Sequence, residues 1–350
     1  MTNSKMRAAM FYGPNKMIVE ESSFSHSENE ATIKMDACAV CGYDARVFRN
    51  GHRKVKPPVI LGHEICGQTL QAINTSKGVL SAGTRVVVLP TIPCLSCWYC
   101  NNQQYNLCNN LMEIGSTING GFAEYVKIPQ QVIKIGGIVP VPENLCNEEA
   151  TLLEPLACCL NGFSRLGEIE KDGVIAIVGD GPIGLLHLQL SKKLYNMRSI
   201  VIGKIPFRMQ MAERMGADAV FTFGNGTEED VSDFTRGRGA DVVIVATSNP
   251  EALNFATKIA AKNSKINLFA SFSNCNSFSP DPNWLHYNQV SIMGSFSSTP
   301  LTLQKAMKLV SDGEIDLSKM VTNRYSLNEI EHAMLATEEF HGLRVVVNRF

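Results

Sequence analysis

The sequence lacks a charge imbalance. Its 32 basic and 33 acidic residues leave a formal charge of -1, so it offers no electrostatic footprint for DNA, RNA or an anionic membrane surface. No nucleic-acid or membrane partner is expected, and a neutral small molecule is the default. A long apolar run is also missing: no stretch approaches the ~18 residues of a membrane span. Residues 1–7 are polar and lack the apolar core of a signal peptide. A cytoplasmic protein is the expectation. Internal repeats and low-complexity linkers are absent as well, yet 350 residues exceed what a single core organises, so two domains are expected.

Cysteine, by contrast, is abundant and unevenly placed. Eleven are present, an odd number that suits a reducing compartment better than a disulfide framework does. Four of them, Cys94, Cys97, Cys100 and Cys108, fall within fifteen residues. Their gaps of two, two and seven residues let four thiolates converge on one ion, as a closed, tetrahedral structural zinc site requires. A ferredoxin run begins similarly but closes with a Cys-Pro pair after three residues, whereas Cys108 is followed by Asn109. A nucleic-acid zinc ribbon pairs two short knuckles across a longer gap, and no basic, aromatic-studded face surrounds these cysteines. Unpaired core thiols are the remaining alternative.

The texture changes midway along the chain. Up to about residue 150, short strands (6–12, 17–20, 31–39, 84–89) lie between turn signals such as Gly13-Pro14-Asn15, which suggests a compact β-rich domain. From residue 174, apolar runs of strand length (174–178, 199–202, 219–223, 241–246, 265–269) alternate with helical segments such as 207–215 and 251–261. That alternation predicts an α/β fold, a doubly wound parallel sheet. After 290–296 the rhythm breaks, and helices at 301–311 and 327–337 lead to a closing strand at 343–348.

Gly179, Gly181 and Gly184 follow the first buried strand and open a helix at Pro182 and Ile183. In that context the glycines let backbone approach a pyrophosphate at a helix N-terminus; a tight turn without a ligand is the alternative. About twenty residues on, an acidic side chain normally grips the NAD ribose. Here Gly203 and Lys204 stand at the strand end, with Arg208 one helical turn further. With no carboxylate there and two cations, NADP is favoured over NAD, unless Lys204 and Arg208 are plain surface charges. On that reading Gly203→Asp would shift preference toward NAD.

Cys41, His63, Glu64 and Glu154 are scattered. One thiolate, one imidazole and one carboxylate would hold a zinc ion with a position open for substrate. Taken singly, each also has an ordinary structural reading.

Taken in order, Cys41-Gly42-Tyr43-Asp44, Gly62-His63-Glu64, the four-cysteine run, Gly120-Gly121-Phe122-Ala123-Glu124-Tyr125, Glu154-Pro155-Leu156 and the glycine loop resemble the zinc-dependent medium-chain dehydrogenases over nearly the whole chain. The Glu154-Pro155 element looks like the polyol branch, with sorbitol, threonine and galactitol-phosphate dehydrogenases. The resemblance implies a GroES-like catalytic domain (1–155), a Rossmann domain (156–295), a return to the catalytic domain (296–350), and a homodimer or homotetramer. It matches Cys41 and His63 to catalytic zinc ligands. Glu64 and Glu154 match two carboxylates that bind the metal directly or through water, and the sequence does not say which is direct.

Two positions depart from the pattern. Tyr43 stands where a Ser or Thr hydroxyl usually begins a proton relay, and Arg46 where many polyol members carry His. The implied reaction moves a hydride from a secondary alcohol or polyol to NAD or NADP, with the metal easing loss of the hydroxyl proton. Arg46, Arg49, His52, Arg53, Lys54 and Lys56 keep a sugar-alcohol phosphate open as substrate. A catalytically idle dinucleotide-binding sensor or structural protein is the reading from another class.

Overall fold

The computed structural model describes residues 3–25, 30–169, 173–272 and 278–350. The chain forms two compact units, Met1–Cys158 together with Ser297–Phe350, and Cys159–Phe296.

The first unit is built on a seven-stranded sheet. Its order is Ile138–Pro140, Arg85–Val88, Glu64–Thr69, Glu30–Val40, Arg344–Arg349 and Val321–Ser326, with Tyr125–Pro129 also paired to Glu30–Val40. Glu30–Val40 is central, and its last four residues, Ala37 to Val40, are all buried. A smaller sheet joins Lys16–Ser25, Asn3–Gly13 and Val59–Ile60. The turn expected at Gly13-Pro14-Asn15 connects the first two of these, with Gly13 and Asn15 at the positive φ values such a turn needs. Phe11, Ile33, Ile60, Ile65, Phe122 and Ile128 are fully buried in one cluster around these sheets, each contributing ~1.5–3 kcal/mol by leaving water.

One element here goes beyond the run of strands read from the sequence. Helix Gly42–Asn50 starts directly after the central strand. Cys41 is its N-cap, and the Asp44 carboxylate accepts the Cys41 backbone N–H. Cys-Gly-x-Asp thus has capping-box spacing.

The second unit is an all-parallel six-stranded sheet in the order Ala219–Thr222, Arg198–Gly203, Val174–Val178, Ala240–Val245, Ala260–Leu268 and Ser291–Gly294. Val174–Val178 is buried at every position, as a parallel strand covered on both faces must be. The strand order reverses direction between Val174–Val178 and Ala240–Val245, which is where doubly wound sheets open a ligand crevice at the carboxyl ends of their strands. Gly179 follows at that point.

Several boundaries differ from the sequence expectation, and one in this unit changes the strand pairing. Helix Glu251–Ile259 stops two residues early and strand Ala260–Leu268 begins at once. Ala260 pairs with Ala240, then a register shift with Asn263 at φ 60° absorbs the extra residues before Lys265 meets Val242. Among the described residues no helix is long and apolar enough to cross a membrane.

Candidate active site and metal centres

Strand pairing assembles the first cluster. Glu64 opens a strand on one side of the central strand, opposite Ala39, while Val345, next to Arg344, pairs on the other side with Val40. Cys41 leaves that central strand between them. The donor atoms of Cys41, His63 and Glu64 lie within 4.8 Å of one another.

Glycine makes the approach possible. Gly62 has φ 94°, and a Cβ on it would meet Cys38 Sγ at 2.9 Å and the Phe122 ring at 3.0 Å. His63 is thereby fixed by a backbone turn no other residue adopts easily.

Asp44, fully buried, is the hub of this site. Its Oδ2 accepts the Cys41 N–H at 3.0 Å, and its Oδ1 accepts the Gly62 N–H at 3.4 Å and lies 3.3 Å from His63 Nδ1. Holding one ring nitrogen turns the other toward a metal. Burial lowers the His63 imidazole's affinity for a proton, but the Asp44 charge and hydrogen bond, then Cys41, outweigh it and hold His63 well above its usual range. Burial raises the Cys41 thiol; the His63 hydrogen bond and charge, with Arg344, outweigh it and bring the thiol down toward the thiolate that metals bind.

The two carboxylates differ in their surroundings. Glu64 is buried, its Oε1 paired with Arg344, while its Oε2 has no hydrogen-bond partner among the described residues. An orphaned, buried carboxylate oxygen beside a thiol and an imidazole suits a cation. Glu154, in the first turn of helix Leu153–Arg165, stands outside this donor group. Its Oε1 accepts Ser298 Oγ at 3.1 Å and Cys158 Sγ at 3.2 Å. Burial raises its carboxyl, and the nearby His63 charge opposes that.

Tyr43 reaches further than a serine would. Its hydroxyl meets Ser116 Oγ at 2.9 Å and His52 Nδ1 at 3.3 Å, and its ring edge rests on His63 with centroids 5.9 Å apart.

The four cysteines of the run also converge. Sγ separations are 3.9 Å for Cys94 to Cys100, 3.5 Å for Cys97 to Cys100 and 3.9 Å for Cys97 to Cys108. Four sulfurs at ~2.3 Å from a tetrahedral zinc stand about 3.8 Å apart, so the donor set and its spacing fit zinc. Backbone and side-chain hydrogen bonds from Ser96 hold the Cys94 thiol down at about 6, whereas burial pushes Cys100 up to about 12.

The glycine loop lies in the second unit. A Cβ on Gly184 would sit 1.9 Å from the Gly179 carbonyl oxygen, and Gly179 has φ 127°. Gly181 caps helix Pro182–Tyr195, with Pro182 as the first helical residue followed by Ile183. The first-turn N–H groups of such a helix have no intrahelical acceptor and suit a pyrophosphate.

At the strand end the structure departs from the sequence premise. A carboxylate is present, delivered by Asp180 from inside the loop: its Oδ2 accepts the Lys204 and Ile205 N–H groups at 2.8 and 2.7 Å. A Cβ on Gly203 would lie 2.4 Å from that oxygen, so the Gly203→Asp change read from sequence is blocked by an existing acid. Lys204 is exposed with its ammonium 5.1 Å above the Phe223 ring, and Arg208 is buried.

Sequence reasoning named Asp44 only as part of a motif, without a role, and gave none to Arg344, Ser298 or Asp180. Only Asp44 left a signal, its capping-box spacing from Cys41.

Comparison with known proteins agrees with this geometry. The model of the alcohol dehydrogenase GroES-like domain matches residues 27–142, and that of the zinc-binding dehydrogenase matches residues 182–312. D-arabitol-phosphate dehydrogenase of Enterococcus avium is 29% identical over 324 residues, covering 92% of this chain and 90% of that protein. Sorbitol dehydrogenase of Bacillus subtilis is 28% identical, covering 98% and 97%. A solved structure described as a zinc-binding dehydrogenase of Sinorhizobium meliloti, bound to NADP, superposes with a TM-score of 0.88 at 28% identity and 99% coverage of both chains. The chain belongs to the zinc-dependent alcohol dehydrogenase superfamily of medium-chain dehydrogenases. It is an oxidoreductase that uses zinc and a nicotinamide cofactor.

Proposed function

We propose that the chain oxidises a secondary hydroxyl of a polyol, binding two zinc ions in an intracellular homodimer or homotetramer. The observation that carries this is the convergence of Cys41, His63 and Glu64 within 4.8 Å, braced by Asp44. Cys41, His63 and Glu64 hold the catalytic zinc directly, and Glu154, fixed by Ser298 and Cys158, supplies the second carboxylate. When bound there, zinc lends Lewis acidity to the alcohol oxygen. Cys94, Cys97, Cys100 and Cys108 hold a structural zinc, closed by its four thiolates.

The Tyr43 hydroxyl, 2.9 Å from Ser116 Oγ and 3.3 Å from His52 Nδ1, leads the hydroxyl proton outward. Desolvation, then the Lys54 and Arg53 charges, lower His52, and its Nδ1 also accepts the Lys54 backbone N–H at 3.3 Å. Gly179, Gly181 and Gly184 let the loop approach the dinucleotide, and helix Pro182–Tyr195 faces its pyrophosphate. The sequence leaned toward NADP through Lys204 and Arg208; the Asp180 carboxylate moves the reading to NAD.

A phosphorylated polyol is the second reading. Arg49 is taken up by Glu338, but Arg46, Arg53, Lys54 and Lys56 are exposed without an ion pair among the described residues. Arg46 folds back to 3.6 Å from where a Gly42 side chain would begin, next to Cys41.

Turnover of polyols, their phosphates and 3-hydroxy amino acids with both cofactors tests the proposal, with metal content measured on the same sample. His63→Ala should keep the fold and lose turnover, because an open-site ligand serves chemistry more than stability. Near-normal turnover in that variant would mean the metal lies elsewhere.

A further inference from the structure

We infer that Asp180, inside the glycine loop, is the residue that reads the adenosine ribose of the cofactor and selects NAD over NADP. The inference rests on the dinucleotide reading above and deepens it.

In doubly wound folds an acid at the end of the second strand accepts the ribose hydroxyls and repels a 2'-phosphate. Here that strand, Arg198–Gly203, ends in a residue with no side chain. The volume is not empty of carboxylate. A Cβ built on Gly203 would lie 2.4 Å from Asp180 Cβ, 2.5 Å from its Cγ and 2.4 Å from its Oδ2. The Asp180 side chain thus occupies the space that an acid at position 203 would enter first. Position 203 and position 180 cannot both carry a side chain in this conformation; the acid has moved from the strand to the loop.

The carboxylate is held firmly. Oδ2 takes two backbone N–H groups, from Lys204 at 2.8 Å and Ile205 at 2.7 Å. Oδ1 receives no hydrogen bond among the described residues, so its lone pairs remain for a hydroxyl donor. Asp180 is 8% exposed, and a charge so little hydrated is weakly screened against a phosphate beside it.

The two cations do not reverse this. The Lys204 ammonium is stacked over Phe223, 5.1 Å from the ring centre. Arg208 is 6% exposed and lies in the field of Asp180, its guanidinium 3.7 Å from where a Gly181 side chain would start.

The test is binding, read by fluorescence titration of the intact, zinc-loaded chain with NADH and with NADPH, which needs no alcohol substrate. The native chain should bind NADH at least about tenfold more tightly than NADPH. Asp180→Asn keeps an oxygen for the two N–H groups and removes the charge, so it should bring the two affinities within about threefold. The double change Asp180→Gly with Gly203→Asp returns a carboxylate to the strand end and should restore the preference for NADH. Native preference for NADPH would overturn the inference alone, as would an Asp180→Asn variant weakened equally toward both cofactors, which would make Asp180 only a loop brace. Failure of the native chain to bind either cofactor would overturn the dinucleotide reading and the inference together.

Discussion

At the scale of single residues, His187 stands apart because nothing in the site uses it. It is fully buried in helix Pro182–Tyr195, both ring nitrogens lack a hydrogen-bond partner among the described residues, and the rings of Phe163 and Phe269 flank it. Burial depresses its pKa from 6.5 to about 3. Between those values the unfolded chain carries the proton and the folded chain does not. Stability therefore rises with pH across this window by about 1.4 kcal/mol per unit, and is lost as pH falls from 6.5 toward 3. At pH 5 the accumulated cost is roughly 2 kcal/mol. His187→Leu removes the titrating group, so urea denaturation should find the variant more stable relative to the native chain at pH 5 than at pH 8, by about that amount. An unchanged difference between the two pH values would mean the ring finds a proton acceptor when charged.

At the scale of elements, residues 94–108 have almost no regular structure to stand on. A four-residue helix, Trp98–Asn101, and a single 3-10 turn, Tyr105–Leu107, are all the segment forms, and neither is long enough to persist alone. Trp98 and Leu107 are exposed, so apolar burial does not hold the lobe either. What remains is the convergence of four sulfurs, and metal binding there is folding energy. If the chain binds the two zinc ions proposed, Cys100→Ala should leave one per chain. A structural zinc site is worth ~10–16 kcal/mol in isolated peptides, and even a quarter of that, at ~2–4 °C per kcal/mol for a domain of this size, lowers Tm by roughly 10 °C. Metal analysis with a thermal melt checks both parts; a variant that keeps two zinc ions and the native Tm would place the second metal at other residues.

At the scale of the molecule, what the sequence disclosed follows contact distance along the chain. The cysteine run and the glycine loop are local, so their spacing carried their chemistry, and the alternation of strand and helix disclosed the parallel sheet. Arg344 pairs with Glu64 across 280 positions, and only strand pairing on both sides of Glu30–Val40 creates that meeting. Asp180 was in plain view, but the role inferred for it depends on where Gly203 stops the neighbouring strand, a matter of register that periodicity does not carry.

The same pairing makes a prediction about the whole chain. Strand Arg344–Arg349 lies inside the seven-stranded sheet, between Glu30–Val40 and Val321–Ser326, although it closes the sequence. It buries Val345, Val346 and Val347, each worth ~1.5–3 kcal/mol, so their joint loss rivals the ~5–15 kcal/mol that holds a typical domain together. Among the described residues, none of the six strands of the parallel sheet pairs with it. A chain ending at Leu343 should therefore lose the first unit while the second survives. Limited proteolysis with mass spectrometry should find a protected fragment close to Cys159–Phe296, with the zinc sites destroyed and NADH binding at least partly retained. Protease resistance across residues 1–158 in the truncated chain, with zinc still bound, would show that the unit stands without its closing strand.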